Sequence, residues 1–387
     1  MTSFQKENTL TSKDIFLLLF SAYLALLSLI FGAGIGKSLN IYDRTFNILF
    51  VLAIFYFIIN AKNLFLTERI FIIIFAIFLQ CLICHFKTGY TYLEYLRIFL
   101  IFIPLAFFNI TNEQLTLISI IYGAFGMSVL LVANFTSLFS GWDGNSISLN
   151  AFFAYALFIV SFSNIKNQKS IIYLVIYSII YYLLLIKFDC RSTILFSIFL
   201  FLSIFSIIPV KKILNKTWLI IILIIPLLIA LFIVAIKDTD IIQKLNTWSL
   251  NNFHKPILNG RDTLWTNGFN KWLNYPLFGT GNISYSAHNS AVSILVTGGI
   301  TGYLIFISSI YTLLKKALFW IDDHIVYGLI LAFLTIWIQQ SVELGLFGLS
   351  VNPTPYFILA LLYFKIKSLE KNNETDTYFF KHNNPGL

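Results

Sequence analysis

Long apolar runs set the strongest constraint on how this chain folds. A helix needs about 20 predominantly apolar residues to cross the hydrocarbon core of a bilayer, and the sequence repeats runs of that kind from end to end. Hydrophobic residues make up 58% of the 387 residues and charged residues only 11%, whereas about a quarter of a soluble domain is charged. This composition excludes a soluble globule and predicts an all-α polytopic membrane protein.

Run length predicts twelve transmembrane helices, with boundary errors of a few residues. The spans are 14–33, 45–60, 68–86, 91–109, 114–137, 148–164, 170–187, 192–210, 217–236, 290–314, 324–341 and 353–367. The first span is too long for a signal-peptide core, so we expect it to be retained. The polar sequence KFDCRST separates the seventh span from the eighth.

Lysine and arginine in the short loops orient these spans, because cytoplasmic loops carry an excess of both. With a cytoplasmic N-terminus, the cytoplasmic side carries fifteen of them and the short outer loops carry five. Both termini are therefore predicted to be cytoplasmic, with the long loop on the outer side of the membrane, which in a Gram-negative cell is the periplasmic side of the inner membrane. The formal net charge of +9 reflects this topology and requires no nucleic-acid partner.

The predicted division of the chain follows from these spans. Spans one to nine occupy residues 1–236, the periplasmic loop occupies 237–289, spans ten to twelve occupy 290–367, and a cytoplasmic tail occupies 368–387.

The periplasmic loop is a polar island between apolar runs. Its sequence NGRDTLW predicts a short helix with Arg261 and Trp265 four residues apart on one face. An arginine near the membrane interface suits a phosphate or diphosphate through its forked donors, or else it faces solvent and lipid headgroups. Trp265 either stacks on a sugar or anchors the loop at the interface.

Three more ionisable residues stand beside or within apolar runs. Arg191 either lines a cavity or extends its side chain from a helix end to the interface. Arg97 follows Glu94 by about one helical turn, and either pairs with it or contacts a substrate. His288 directly precedes the tenth span, where it either caps that helix or acts as a general base near neutral pH.

Four short motifs in order resemble the O-antigen ligase and O-antigen polymerase superfamily. They are CRST, GRDTLW, NYPLFGTG and HNSAVSILVTGGITG, and they cover about residues 189–302. The last is similar to the ligase-type signature of a His followed by Asn, Ser or Gln, then nine residues, a Gly, two residues, and Gly, Thr or Tyr. The matching positions here are His288, Asn289, Gly299 and Gly302.

The resemblance implies a GT-C-like, metal-independent glycosyltransferase without a cofactor. Its donor would be an undecaprenyl-diphosphate-linked glycan, transferred with inversion to a sugar hydroxyl. Arg191 and Arg261 would bind the diphosphate leaving group, and His288 would position the acceptor hydroxyl or accept its proton.

Further residues are expected to bind substrate or to shape the site. Substrate contacts are expected at Arg97, Trp265, Asn289 and Glu343, and Glu343 alternatively orients His288. Gly279 and Gly281 would allow a tight turn before span ten, while Gly299 and Gly302 would permit close approach of helices.

Three functions stay open at this point. The sequence favours an O-antigen or capsule polymerase, with an O-antigen ligase that transfers the glycan to lipid A-core as the alternative. A polysaccharide flippase, with Arg97 and Arg191 along its substrate path, is less favoured because the first half shows no counterpart of the 260–302 pattern. The expected partners are the lipid-linked glycan, the bilayer and a chain-length regulator.

Overall fold

The computed structural model describes residues 15, 17–25, 110–136, 144–162, 168–188, 190–254, 256–282, 285, 287–347 and 352–383. Every regular element within these ranges is a helix, as the apolar composition predicts. The second, third and fourth predicted spans lie outside the described residues, and the total of twelve spans stays a prediction.

The described helices from residue 110 onward can be given in chain order. They are α1 (Asn112–Phe135), α2 (Gly144–Val160), α3 (Gln168–Ile186), α4 (Arg191–Ile204), α5 (Val210–Ile213), α6 (Lys216–Ile236), α7 (Asp240–Phe253), α8 (Arg261–Asn274), α9 (Ser290–Ala317), α10 (His324–Gln339) and α11 (Pro353–Asn383). A 3-10 turn at Leu318–Trp320 continues α9. The last helix, α11, runs beyond the predicted end of span twelve at residue 367.

Three of these helices are long and apolar enough to cross a membrane by length and composition. They are α1, α6 and α9 together with its 3-10 turn. Helices α2, α4 and α10 are apolar but shorter, as is the stretch Ile171–Ile186 of α3. The length and apolar composition of the three long helices indicate a membrane protein, as the sequence predicts.

Polar caps fix the starts of several helices. Thr111 and Gln114 form a reciprocal capping box at α1, the amide oxygen of Asn215 accepts two backbone N–H groups of α6, and Asp323 accepts two of α10. Such caps satisfy N–H groups that have no partner within the helix. All three caps lie in loops that the sequence places on the cytoplasmic side.

Ion pairs join the same loops at one end of the helices. Lys365 is 6% exposed, and its Nζ lies 3.2 Å from the Asp323 carboxylate and donates to Asn112 at 2.7 Å. Further pairs are Lys211–Asp322 at 2.9 Å and Lys316–Glu370 at 2.8 Å. The loops predicted to be cytoplasmic therefore meet at one end, and the candidate site lies at the other.

Helix α9 is broken at Gly299, although the sequence predicts an uninterrupted span at 290–314. Gly299 has φ 62° and ψ −167°, which no helix accommodates. A Cβ at this position would stand 2.3 Å from the carbonyl oxygen of Leu277. The predicted close approach at Gly299 is therefore made by a loop, not by another helix.

The loop at 275–282 replaces the backbone hydrogen bonds that the break removes. Thr280 and Gly281 donate to the carbonyls of α9 above the break, and Ile300 and Thr301 below it donate to the loop. The four bonds are Thr280 to Val296 at 2.8 Å, Gly281 to Thr297 at 2.9 Å, Ile300 to Pro276 at 2.9 Å and Thr301 to Leu277 at 3.2 Å. The backbone N–H and C=O groups that the break leaves without helical partners are thereby hydrogen-bonded within the protein.

Candidate active site

The carboxylate of Glu343 is the point at which four segments of the chain meet. Glu343 follows α10, and its side chain is 9% exposed. Its Oε1 accepts from Arg261 Nη2 at 3.0 Å and from Ser192 Oγ at 3.2 Å. Its Oε2 lies 3.8 Å from His288 Nδ1. The starts of α4, α8 and α9 thus converge on one buried negative charge at the end of α10.

Arg261 is the first residue of α8 and is held by two acceptors. Its Nε donates to the carbonyl of Val342 at 2.9 Å, and Nη2 donates to Glu343. The guanidinium has five N–H donors in a rigid fork. Two of them are used by these contacts among the described residues, so three remain for an anion. The side chain is 21% exposed, which leaves that edge accessible.

His288 has a backbone conformation that is uncommon for any residue except glycine. Its φ is 46°, and such positions cost about 1–3 kcal/mol and cluster at functional sites. The buried Nδ1 has no hydrogen-bond partner among the described residues, because 3.8 Å to Glu343 is too long for one. The side chain is 44% exposed, so the imidazole has one nitrogen turned toward a carboxylate and the remainder open to a ligand.

The backbone before His288 is attached to α8. Trp265 donates from its indole N–H to the carbonyl of Ala287 at 2.7 Å, and the hydroxyl of Tyr285 donates to the carbonyl of Leu264. Burial raises the pKa of the Tyr285 phenol, which keeps that donor protonated. Arg261 and His288 are therefore positioned by the same helix.

Trp265 itself lies elsewhere than the sequence predicts. A substrate contact requires an exposed ring, whereas this side chain is 1% exposed and packs in the core. It lies on the same helix as Arg261, as the sequence predicts. Its contribution to the site is the hydrogen bond to Ala287, the residue that precedes His288.

Asn289 is also placed as a structural residue, although the sequence predicts a substrate contact. The residue is 0% exposed. Its Oδ1 caps α9 by accepting from Val292, and its Nδ2 donates to the carbonyls of Pro226 at 2.8 Å and Ser341 at 2.9 Å. Both amide hydrogens are thus used to tie α6 and the end of α10 to the start of α9.

Arg191 is the first residue of α4, and its side chain is exposed. The next residue, Ser192, donates to Glu343, so Arg191 lies at the rim of the same site. A cation in the first turn opposes the helix dipole, whereas an anion bound there would be stabilised by both the dipole and the guanidinium. Arg97 lies outside the described residues, and its role stays a prediction.

The remaining glycines belong to the turn and to α9. Gly279 and Gly281 have φ of 66° and 72°, the positive values that the predicted tight turn requires. A Cβ on Gly279 would stand 2.3 Å from the carbonyl oxygen of Thr297. Gly302 is buried on α9 below the break.

Sequence reasoning missed two contributors to the site, the hydroxyl of Ser192 and the carbonyl of Val342. The polar run QQSVE at 339–343 follows the apolar residues of α10. It is the sequence feature that could have pointed to a contribution from Val342. Its second glutamine, Gln340, accepts from Ser290 Oγ at 2.9 Å and from Ser290 N at 3.0 Å. This polar run therefore anchors the start of α9 as well as Arg261.

Comparison with known families covers the central part of the site. Residues 176–307 match the family model described as O-Antigen ligase. No curated protein and no solved structure matches the chain. The matched segment includes Arg191, Arg261 and His288, whereas Glu343 lies outside it. Over residues 176–307 the chain is similar to the O-antigen ligase family, which supports the predicted resemblance to the O-antigen ligase and O-antigen polymerase superfamily.

Proposed function

We propose that this protein is a glycosyltransferase at the periplasmic face of a bacterial inner membrane. It joins undecaprenyl-diphosphate-linked oligosaccharide repeats, as an O-antigen or capsule polymerase. The family match supports transfer of the ligase or polymerase type. The observation that carries the proposal is the convergence of Arg261, Ser192 and His288 on Glu343.

The donor diphosphate binds on the arginine side of the site. The three remaining N–H groups of Arg261 face an anion while Val342 and Glu343 hold the other two. Arg191 and the N-terminus of α4 add positive potential at the rim. These groups stabilise the charge that develops on the leaving diphosphate. Because the diphosphate is already a good leaving group, the proposed transfer uses no metal or other cofactor.

The acceptor binds on the histidine side. Its hydroxyl oxygen forms a bond to the anomeric carbon as the bond from that carbon to the diphosphate breaks, with inversion. The hydroxyl proton passes to His288, and undecaprenyl diphosphate leaves with the electron pair. Glu343 Oε2 then accepts a hydrogen bond from Nδ1 and stabilises the imidazolium. The 3.8 Å separation shortens in the substrate complex, as catalytic hydrogen bonds often do.

A deletion strain complemented with single variants tests this function. Lipopolysaccharide gels and undecaprenyl-linked glycans are measured together, with capsule polysaccharide as a further readout. Loss of the ladder with core bearing a single repeat identifies a polymerase. A bare core with long glycans on undecaprenyl diphosphate identifies the ligase, which uses the same site with lipid A-core as acceptor.

Site variants decide whether the described geometry performs the transfer. Arg261→Ala and His288→Ala should reproduce the deletion phenotype at unchanged protein level in the membrane. Glu370→Gln, in an ion pair with Lys316 at the opposite end, is the matched control and should restore the ladder. Wild-type glycans in the deletion strain, or full activity of both alanine variants, would contradict the proposal.

A further inference from the structure

Two apolar surfaces of the segment 240–278 are exposed on the protein. The α7 surface consists of Ile241, Leu245 and Trp248, which are 68%, 39% and 54% exposed. The 273–278 surface consists of Leu273, Tyr275, Leu277 and Phe278, which are 63%, 49%, 59% and 48% exposed. We infer that both surfaces face the outer leaflet of the lipid bilayer, so that the segment rests on the membrane and does not stand in the periplasm.

Helix α7 has the pattern of a helix that lies in a membrane interface. At 3.6 residues per turn, Ile241, Leu245 and Trp248 occupy an arc of about 60°. Beside this arc, Ile242 and Ser249 are 5% and 1% exposed and pack inward. The opposite face carries exposed Gln243 and Thr247 together with Leu250, which is 46% exposed, and exposed Asn252 ends the apolar arc near the C-terminus of α7. Half of the apolar face is thus covered by protein, and the other half needs a second apolar environment.

The position of α7 in the chain identifies that environment as lipid. Helix α6 is one of the helices able to cross a membrane, and its outward residues Leu228, Leu231 and Phe232 are 50%, 45% and 61% exposed. Residues 237–239 alone separate it from α7, and three residues span at most about 10 Å. Helix α7 therefore begins where α6 leaves the bilayer, at the depth that tryptophan side chains such as Trp248 prefer.

The 273–278 surface is placed beside the membrane by its hydrogen bonds to the spanning helix α9. Pro276 and Leu277 accept backbone N–H groups of Ile300 and Thr301 at the break in α9. This point lies about 15 Å along the helix from its first residue, at 1.5 Å per residue. Leu304, one turn further along, is itself 58% exposed on this spanning helix. The loop is thus attached beside a lipid-facing stretch of α9, and its own apolar side chains continue that face.

Spin-label accessibility in a bilayer tests the inference without any activity measurement. Cys81, Cys84 and Cys190 are replaced with serine in the full chain, which is reconstituted in nanodiscs of phosphatidylethanolamine and phosphatidylglycerol. Single labels are introduced through Ile241→Cys, Leu245→Cys, Trp248→Cys, Leu277→Cys and Phe278→Cys. Matched controls at exposed polar residues of α7 are Gln243→Cys, Thr247→Cys and Asn251→Cys. Elution volume in gel filtration checks that each variant is folded.

Collision rates with oxygen, which partitions into lipid, are compared with those of a water-soluble nickel chelate. We expect oxygen to dominate at the five test positions and the nickel chelate at the three controls, with a helical period along α7. Nickel collisions at the test positions as frequent as at the controls would show a water-exposed surface. Low collision rates with both reagents would show a surface covered by protein. Either result overturns the inference and leaves the proposed glycosyl transfer untouched.

Discussion

Replacement of Glu343 with glutamine removes one negative charge and leaves the shape of the side chain nearly unchanged. The carboxylate accepts from Arg261 at 3.0 Å and from Ser192 at 3.2 Å. A hydrogen bond to a charged group contributes about 1.5–3 kcal/mol and a neutral one about 0.5–1.5 kcal/mol. Each contact therefore weakens by about 1 kcal/mol, and the two together by about 2 kcal/mol.

This change has two consequences for transfer. A loss of about 2 kcal/mol in positioning corresponds to about a 30-fold lower rate, since 1.36 kcal/mol is tenfold. His288 also loses the anion that stabilises its protonated form, and general acid–base catalysis contributes about 10²–10⁴-fold. We expect Glu343→Gln to lower the rate by between about 30-fold and 10⁴-fold, with the acceptor-dependent step most affected.

The assay measures transfer by purified protein in vesicles from an undecaprenyl-diphosphate-linked glycan to its acceptor. Glu370→Gln removes a carboxylate that pairs with Lys316 at 2.8 Å and is 35% exposed, and it should retain the wild-type rate. A rate for Glu343→Gln within about threefold of wild type, a change below 1 kcal/mol, would refute the role of this carboxylate. An equal loss in both variants would show general destabilisation instead.

Three further predictions concern single residues. Arg261→Lys keeps the charge but not the forked contact to Val342 and Glu343, so the rate of glycan transfer in vesicles should fall about 100-fold. A wild-type rate would contradict the role of the forked geometry. Asn289→Ala removes a helix cap and leaves buried groups unpaired, so the free energy of unfolding should fall by about 2–4 kcal/mol and the melting temperature with it. A changed KM at an unchanged melting temperature would instead indicate that Asn289 contacts the substrate. Gly299→Ala should cost about 3 kcal/mol through its positive φ and its overlap with Leu277. Gly260→Ala, at φ 78° and ψ 1° with open space around it, carries only the left-handed backbone cost of about 1–2 kcal/mol, and equal melting of the two variants would refute the larger cost at Gly299.

Helix type and approximate bounds were predictable because apolar runs leave the backbone few choices. A segment in lipid must satisfy its own N–H and C=O groups, which a helix does within itself. The ninth predicted span at 217–236 accordingly differs by one residue from α6. The sequence GRDTLW likewise predicts α8, which begins at Arg261.

The break in α9 was not predictable, because glycine in an apolar run is compatible with two outcomes. It permits close helix packing or a departure from helical φ, and the residue type does not distinguish them. The outcome depends on the loop at 275–282, whose backbone groups replace the lost helical bonds. A partner of that kind is recognised only when the two segments are placed together.

The sequence by itself determined the helical class and predicted the residue types of the candidate site: two arginines, a histidine and a loop rich in glycine. These follow from local properties, namely apolar run length, charge and motif order. Only the tertiary structure decided which polar groups meet, because Glu343 is 82 residues from Arg261 and 151 from Ser192 along the chain. It likewise decided that Trp265 and Asn289 are buried, since burial depends on the surfaces that neighbouring helices supply.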